Sequence, residues 1–110
     1  MSKTARIDQL LQFLKEEPDN PFNIYALALE YQHSEPSKAT DYFDQLLTSH
    51  PEYLPTYFHA AAFFSEMDEI EKAQKIYNNG IALAQDQNNP HALRELKNAY
   101  QNFVFENDLD

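Results

Sequence analysis

The feature that most constrains the fold of this chain is an internal repeat of 33 to 34 residues. The segment SKATDYFDQLLTSHP (37–51) aligns with EKAQKIYNNGIALAQ (71–85), and IYALALEY (24–31) aligns with YFHAAAFF (57–64). A fixed period of this length is typical of solenoids, in which each repeat buries its apolar face only by stacking on its neighbours. The alignment pairs Lys38 with Lys72, Ala39 with Ala73, Phe43 with Tyr77, and Ala28 with Ala61.

Helices are indicated by the apolar spacing and by the distribution of glycine and proline. Ile7, Leu10, Leu11 and Leu14 follow the i, i+3, i+4, i+7 spacing of a helix with one buried face. Glycine occurs once, whereas six prolines interrupt the chain at intervals. We therefore predict six helices, at about 3–17, 21–33, 36–49, 53–66, 69–86 and 90–105.

The predicted fifth helix contains a dipeptide that is typical of a turn rather than of a helix. Asn79-Gly80 is a common hairpin turn, but its flanks do not alternate apolar with polar residues as strands do. A helix that continues through Gly80, at a cost of about 1 kcal/mol, is therefore favoured over one that ends there.

Small and aromatic residues recur at fixed positions in both copies, and through them the chain resembles a tetratricopeptide repeat protein. The departures are Leu46 where a small residue is usual, Gln85 where a proline closes the repeat, and no tryptophan. The matching positions are Ile24, Leu27, Ala28 and Tyr31, then Ala39, Phe43 and Pro51, and in the second copy Tyr57, Ala60, Ala61 and Phe64, then Ala73, Tyr77 and Gly80.

The resemblance implies an all-α fold, a right-handed α-solenoid of antiparallel helix pairs. We expect a single domain over residues 1–110. Its parts would be an N-terminal half repeat (1–19), repeat 1 (20–52), repeat 2 (53–88), a C-terminal capping helix (89–105) and a frayed acidic tail (106–110).

Alanines mark the expected contacts between the paired helices. We expect small residues where two paired helices cross closely. Ala28 and Ala61 lie at this position on the first helix of each pair, and Ala39 and Ala73 lie at it on the second helix. The equivalent position in the last helix is Lys97, which cannot lie under a crossing helix. We therefore expect that helix to be a solvated cap, as the end of a solenoid requires.

One edge of the first helices is a candidate binding surface. In the family this edge lines a concave groove that holds a partner peptide, although packing between adjacent first helices and a solvated cap face are the open alternatives. Tyr25, Leu29 and His59 stand where some members carry a clamp for a terminal carboxylate, so we expect apolar contact instead. The candidate groove residues are Phe22, Tyr25, Leu29, Gln32, Phe58, Ala62, Ser65, Arg94 and Asn98.

Charge narrows the choice of partner. The formal net charge is −10, and the stretch from Glu30 to Glu71 holds nine acidic residues against one basic residue, Lys38. Nucleic-acid binding needs a basic stripe, so that class of partner is not expected. An acidic surface favours a basic partner or simply keeps the helices solvated.

Catalysis, metals and cofactors find no support in the sequence. There is no cysteine, and the four histidines lack the i, i+3 or i+4 pairing of a helical metal site. Phosphate-binding loops, nucleophile elbows and zinc-protease motifs are absent. With no long apolar run or secretory signal, we expect a cytoplasmic protein that is not an enzyme and needs no membrane.

Two functions remain. The first is a protein–protein interaction module that binds a peptide or protein segment in the concave groove. The alternative is a structural protein that self-associates, as a homodimer, through an uncovered edge of helix 21–33.

Overall fold

The computed structural model describes residues 2–109, and in this range it contains six α-helices and no strand. The prediction of an all-α fold with six helices is confirmed. Met1 and Asp110, which belong to the predicted half repeat and tail, lie outside the described residues. The helices are α1 (Lys3–Glu16), α2 (Pro21–Tyr31), α3 (Pro36–Ser49), α4 (Pro55–Glu66), α5 (Ile70–Asp86) and α6 (Pro90–Glu106).

Prolines begin four of the helices rather than merely interrupting the chain. They occupy the first helical position, where the missing N–H would have no partner in any case and the fixed φ suits the helix. Side-chain oxygens of Ser2, Asn20 and Asn89 accept backbone N–H bonds at three helix starts, at 3.0 to 3.1 Å. The four prolines are Pro21, Pro36, Pro55 and Pro90.

The last three helices end in the same way without glycine. Asp68, Asn88 and Asp108 have φ values of 65°, 54° and 54°. The next residue in each case donates its N–H to a carbonyl five residues earlier, as Leu109 does to Val104 at 2.9 Å. Asp and Asn adopt this left-handed conformation at lower cost than most residues, so they replace the glycine usual at such helix ends.

The described residues form two compact units that divide after Tyr53. In the first unit α2 packs against both α1 and α3. The core consists of Ile24, Leu27 and Ala28 of α2 together with Phe43 and other side chains of α3, all fully buried. No residue of α1 is buried, and its Arg6 forms an ion pair with Glu30 of α2 at 2.6 Å.

In the second unit α4, α5 and α6 all pack against one another. Ala60, Ala61 and Phe64 of α4 are fully buried, as is Ala73 of α5. An aromatic cluster joins α5 to α6, in which the Tyr77 ring centroid lies 5.8 Å from that of Tyr100 and 5.2 Å from that of Phe103.

Helix α5 continues through Gly80, as predicted, and the reason is a close approach to α4. A Cβ atom at this position would lie 2.6 Å from the Tyr57 Cβ and 3.1 Å from its Cγ. Residue 46, which aligns with residue 80, is a fully buried leucine in the first unit. In the first unit the Leu46 side chain therefore occupies the position that Gly80 leaves empty for Tyr57 in the second unit.

We predict that Gly80→Ala destabilises the protein although alanine favours helices. The gain in helix propensity is about 1 kcal/mol. The new methyl group would, however, clash with the Cβ and Cγ atoms of Tyr57, and overpacking of this kind typically costs about 1–3 kcal/mol, or more where the neighbouring atoms cannot move. Urea unfolding followed by circular dichroism should therefore show a lower midpoint. The matched control is Asn79→Ala on the exposed side of the same helix. A Gly80→Ala midpoint equal to or above that of Asn79→Ala would contradict the close-approach explanation.

Candidate functional site

The predicted edge of α2 presents one exposed and several partly buried side chains. Phe22 is 56% exposed at the start of the helix, and Leu29 and Gln32 are partly exposed further along. Tyr25 packs edge-on against Tyr53, with 5.7 Å between ring centroids. Burial, and to a lesser extent the neighbouring Tyr53, raise the pKa of Tyr25, so its hydroxyl is neutral at pH 7.

The predicted edge of α4 is similar in character. Phe58 is 37% exposed, and its ring centroid lies 5.4 Å from that of His59 in an edge-to-face arrangement. Ala62 and Ser65 follow on the same helix and are partly exposed. The edge therefore passes from an aromatic residue to small residues towards the end of α4.

A hollow of about 250 Å³ opens in the second unit, between α4 and α6 and over α5. Ala62 and Ser65 line one side of it, and Ala99 and Asn102 line the other. The remaining lining residues are aromatic or acidic: Glu66, Tyr77, Phe103 and Glu106. We call this feature the α4–α6 hollow.

Arg94 and Asn98 line a different hollow, of about 270 Å³, together with Pro90, Leu93 and Lys97 of the same helix. The sequence analysis placed Arg94 and Asn98 on the same predicted groove edge as Phe58 and Ala62. Because a helix has only 3.6 residues per turn, an alignment that is off by one residue selects a different edge. Their assignment to a binding groove stays a prediction.

Sequence reasoning missed Glu66, Tyr77, Asn102, Phe103 and Glu106 as a group. They come from three helices, and no short motif connects them. Tyr77 and Phe103 were identifiable as apolar core positions, and only the packing brings carboxylates to their exposed edges. Burial, followed by the charge of Glu106, raises the pKa of Tyr77, so the charge of Glu106 acts on its hydroxyl.

The described residues contain no group of three or more histidine, cysteine or acidic side chains that could hold a metal ion. No helix among them is both long and apolar enough to cross a membrane.

The sequence and the fold were both compared with those of known proteins. No family model matches the chain, and no curated protein matches it. Solved structures do match, among them the solution NMR and crystal structures of a tetratricopeptide repeat domain protein from Salinibacter ruber. The NMR structure is 29% identical over 86% of this chain and 96% of its own, with a TM-score of 0.78. The crystal structure is 32% identical over 76% of this chain and 96% of its own, with a TM-score of 0.71.

Neighbouring α-helices pack on one another within each unit, and together with the matched structures this defines a helical-repeat module of the protein-interaction type. Given the identity and coverage of these matches, the chain belongs to the tetratricopeptide repeat family. The expected resemblance and its all-α solenoid class are thereby confirmed.

We predict that acid destabilises the protein through His59. Burial lowers the pKa of this imidazole below its ordinary value of 6.5. Below pH 6.5 the folded state then binds fewer protons than the unfolded state. The contribution of neutral, buried His59 to the free energy of unfolding is therefore present above pH 6.5 and is lost as the pH falls through the lowered pKa. NMR titration of the His59 C–H signals should give a pKa below the ordinary histidine value of 6.5. A His59 pKa at or above 6.5 would contradict this prediction.

Proposed function

We propose that the chain binds a segment of another protein through the exposed aromatic side chains on α2 and α4. The observation that carries this proposal is the exposure of two large rings, Phe22 and Phe58, on helices whose other aromatic residues are mostly buried. Aromatic side chains are enriched at the centres of protein–protein interfaces and are prominent among the residues that dominate binding energy. Membership of the tetratricopeptide repeat family supports the same function.

The expected ligand is an apolar segment with basic residues beside it. Tyr25, Leu29 and His59 replace the polar residues that would grip a terminal carboxylate, so apolar contact provides most of the affinity. The net charge of −10 favours a basic partner and accelerates its association. No catalytic step belongs to this proposal.

Self-association is the second candidate function, and one observation favours it. Helix α1 has no buried residue, and Leu11 and Phe13 on it are 38% and 40% exposed. A second copy of the chain that covered this apolar surface would form a homodimer. Light scattering over a concentration series decides this candidate, because a strict monomer at high concentration removes it.

We predict that Tyr25→Ala combined with Phe58→Ala weakens ligand binding at least about tenfold, the loss expected for two interface aromatic residues. The ligand is a peptide selected on the wild-type protein from a random peptide library, and affinity is measured by fluorescence anisotropy. Circular dichroism establishes that the helices of the variant remain intact.

Phe105→Ala provides the matched control. This aromatic side chain is 83% exposed on α6 and lies outside the predicted edge, so its removal should leave the affinity unchanged. Undiminished binding by the Tyr25/Phe58 variant would overturn the proposed function, as would equal losses in the variant and the control.

A further inference from the structure

The polar groups that line the α4–α6 hollow are able to accept hydrogen bonds. They are the carboxylates of Glu66 and Glu106, the hydroxyls of Ser65 and Tyr77, and the amide oxygen of Asn102. No basic side chain lines it. A ligand that carries a positive charge and N–H donors would therefore meet two carboxylates, those of Glu66 and Glu106, and no like charge.

The position of the two carboxylates strengthens this preference. Glu66 is the last residue of α4 and Glu106 is the last residue of α6, and neither helix has a basic residue in its last turn. Helix C-termini carry partial negative charge, so a carboxylate there is unfavourable in the free protein and attractive to a cation. Within residues 2–109 neither carboxylate forms an ion pair.

The floor of the hollow adds a separate observation. Tyr77 is only 5% exposed, and its hydroxyl has no hydrogen-bond partner among the described residues although it feels the charge of Glu106. Most of the Tyr77 side chain is buried, but its hydroxyl is not among the fully buried unpaired atoms of the described residues, so it stays accessible to a ligand in the hollow. The Phe103 ring beside it supplies an apolar and π-rich surface, which also favours a cation.

From these contacts we propose that the α4–α6 hollow binds the guanidinium group of an arginine side chain in the partner segment. The planar guanidinium offers five N–H donors in a fixed fork, which suits several acceptors spread around one hollow. Charge-assisted bonds to carboxylates are about twice as strong as neutral ones. A metal ion is not the expected occupant, because the described residues hold no group of three or more histidine, cysteine or acidic side chains. The inference rests on the proposed function and names one side chain that the ligand would carry.

The test uses N-acetyl-L-arginine methylamide as the probe and follows the ¹H–¹⁵N signals of the protein during titration. We expect saturable shifts of the Ala62, Ser65, Ala99 and Asn102 amides, and weaker binding as salt is raised. The citrulline derivative has nearly the same shape without the charge and should bind at least about tenfold more weakly. Equal binding by the citrulline derivative would overturn the inference, and tighter binding by the lysine derivative would overturn the choice of arginine.

Paired variants locate the site. Glu66→Gln with Glu106→Gln should weaken probe binding about tenfold or more, because two charge-assisted bonds are lost. Glu17→Gln with Glu71→Gln removes the same charge from exposed positions outside the hollow and should leave the binding nearly unchanged. Unchanged binding in the first pair, or equal losses in both pairs, would overturn the inference.

Thermal unfolding keeps this comparison interpretable. Removing a carboxylate from a helix C-terminus should leave the melting temperature unchanged or raise it. Weaker binding by a variant that is at least as stable as the wild type cannot then come from unfolding. Because the probe is a single amino-acid derivative, its failure overturns the arginine site alone, whereas the selected peptide decides the proposed function.

Discussion

Helices pack closely only where neither of them places a large side chain between the two backbones, and this constraint governs the whole chain. Ala28 and Ala39 are fully buried in the first unit, as are Ala61 and Ala73 in the second. Gly80 shows the constraint most plainly, because even one methyl group there would overlap Tyr57. Large residues such as Phe43 and Phe64 fill the remaining space in the core. Small residues thus set the distance between helices, and large ones supply most of the buried apolar area.

Residues at the edges and ends of the helices are not needed for this packing, so they are available to contact a partner. Side chains that fill the spaces between helices cannot also reach a partner, so the proposed binding uses Phe22, Phe58 and the polar residues beside them. Glu66 and Glu106 lie at the C-terminal ends of α4 and α6, where the helix dipole disfavours a negative charge. The proposed arginine would supply the positive charge that both helix ends lack.

The sequence was sufficient to predict six helices because three independent signals agreed: the repeat, the apolar spacing and the prolines. Helix α4 begins at Pro55 rather than 53 because proline is favoured at the first helical position. The left-handed ends at Asp68, Asn88 and Asp108 were not predicted, because Asp and Asn occur in many other contexts. The resemblance to the family indicated that position 80 should be small, but only the packing identifies Tyr57 as the reason.

The candidate site was less predictable, for a physical reason. Repeats identify equivalent positions, but a shift of one residue rotates a helical side chain onto another edge, so a repeat alone does not fix which edge of a helix faces a partner. Ala62 and Ser65 were predicted and do line the α4–α6 hollow, whereas its charged and aromatic residues belong to no linear motif.

Ala73→Leu measured against Ala82→Leu tests the packing constraint most directly. Both positions lie on α5, but Ala73 is fully buried and Ala82 is exposed. In urea unfolding we expect Ala82→Leu to be nearly neutral and Ala73→Leu to lose roughly 1–3 kcal/mol or more of unfolding free energy. Equal stabilities for the two variants would contradict the claim that small residues set the spacing of these helices.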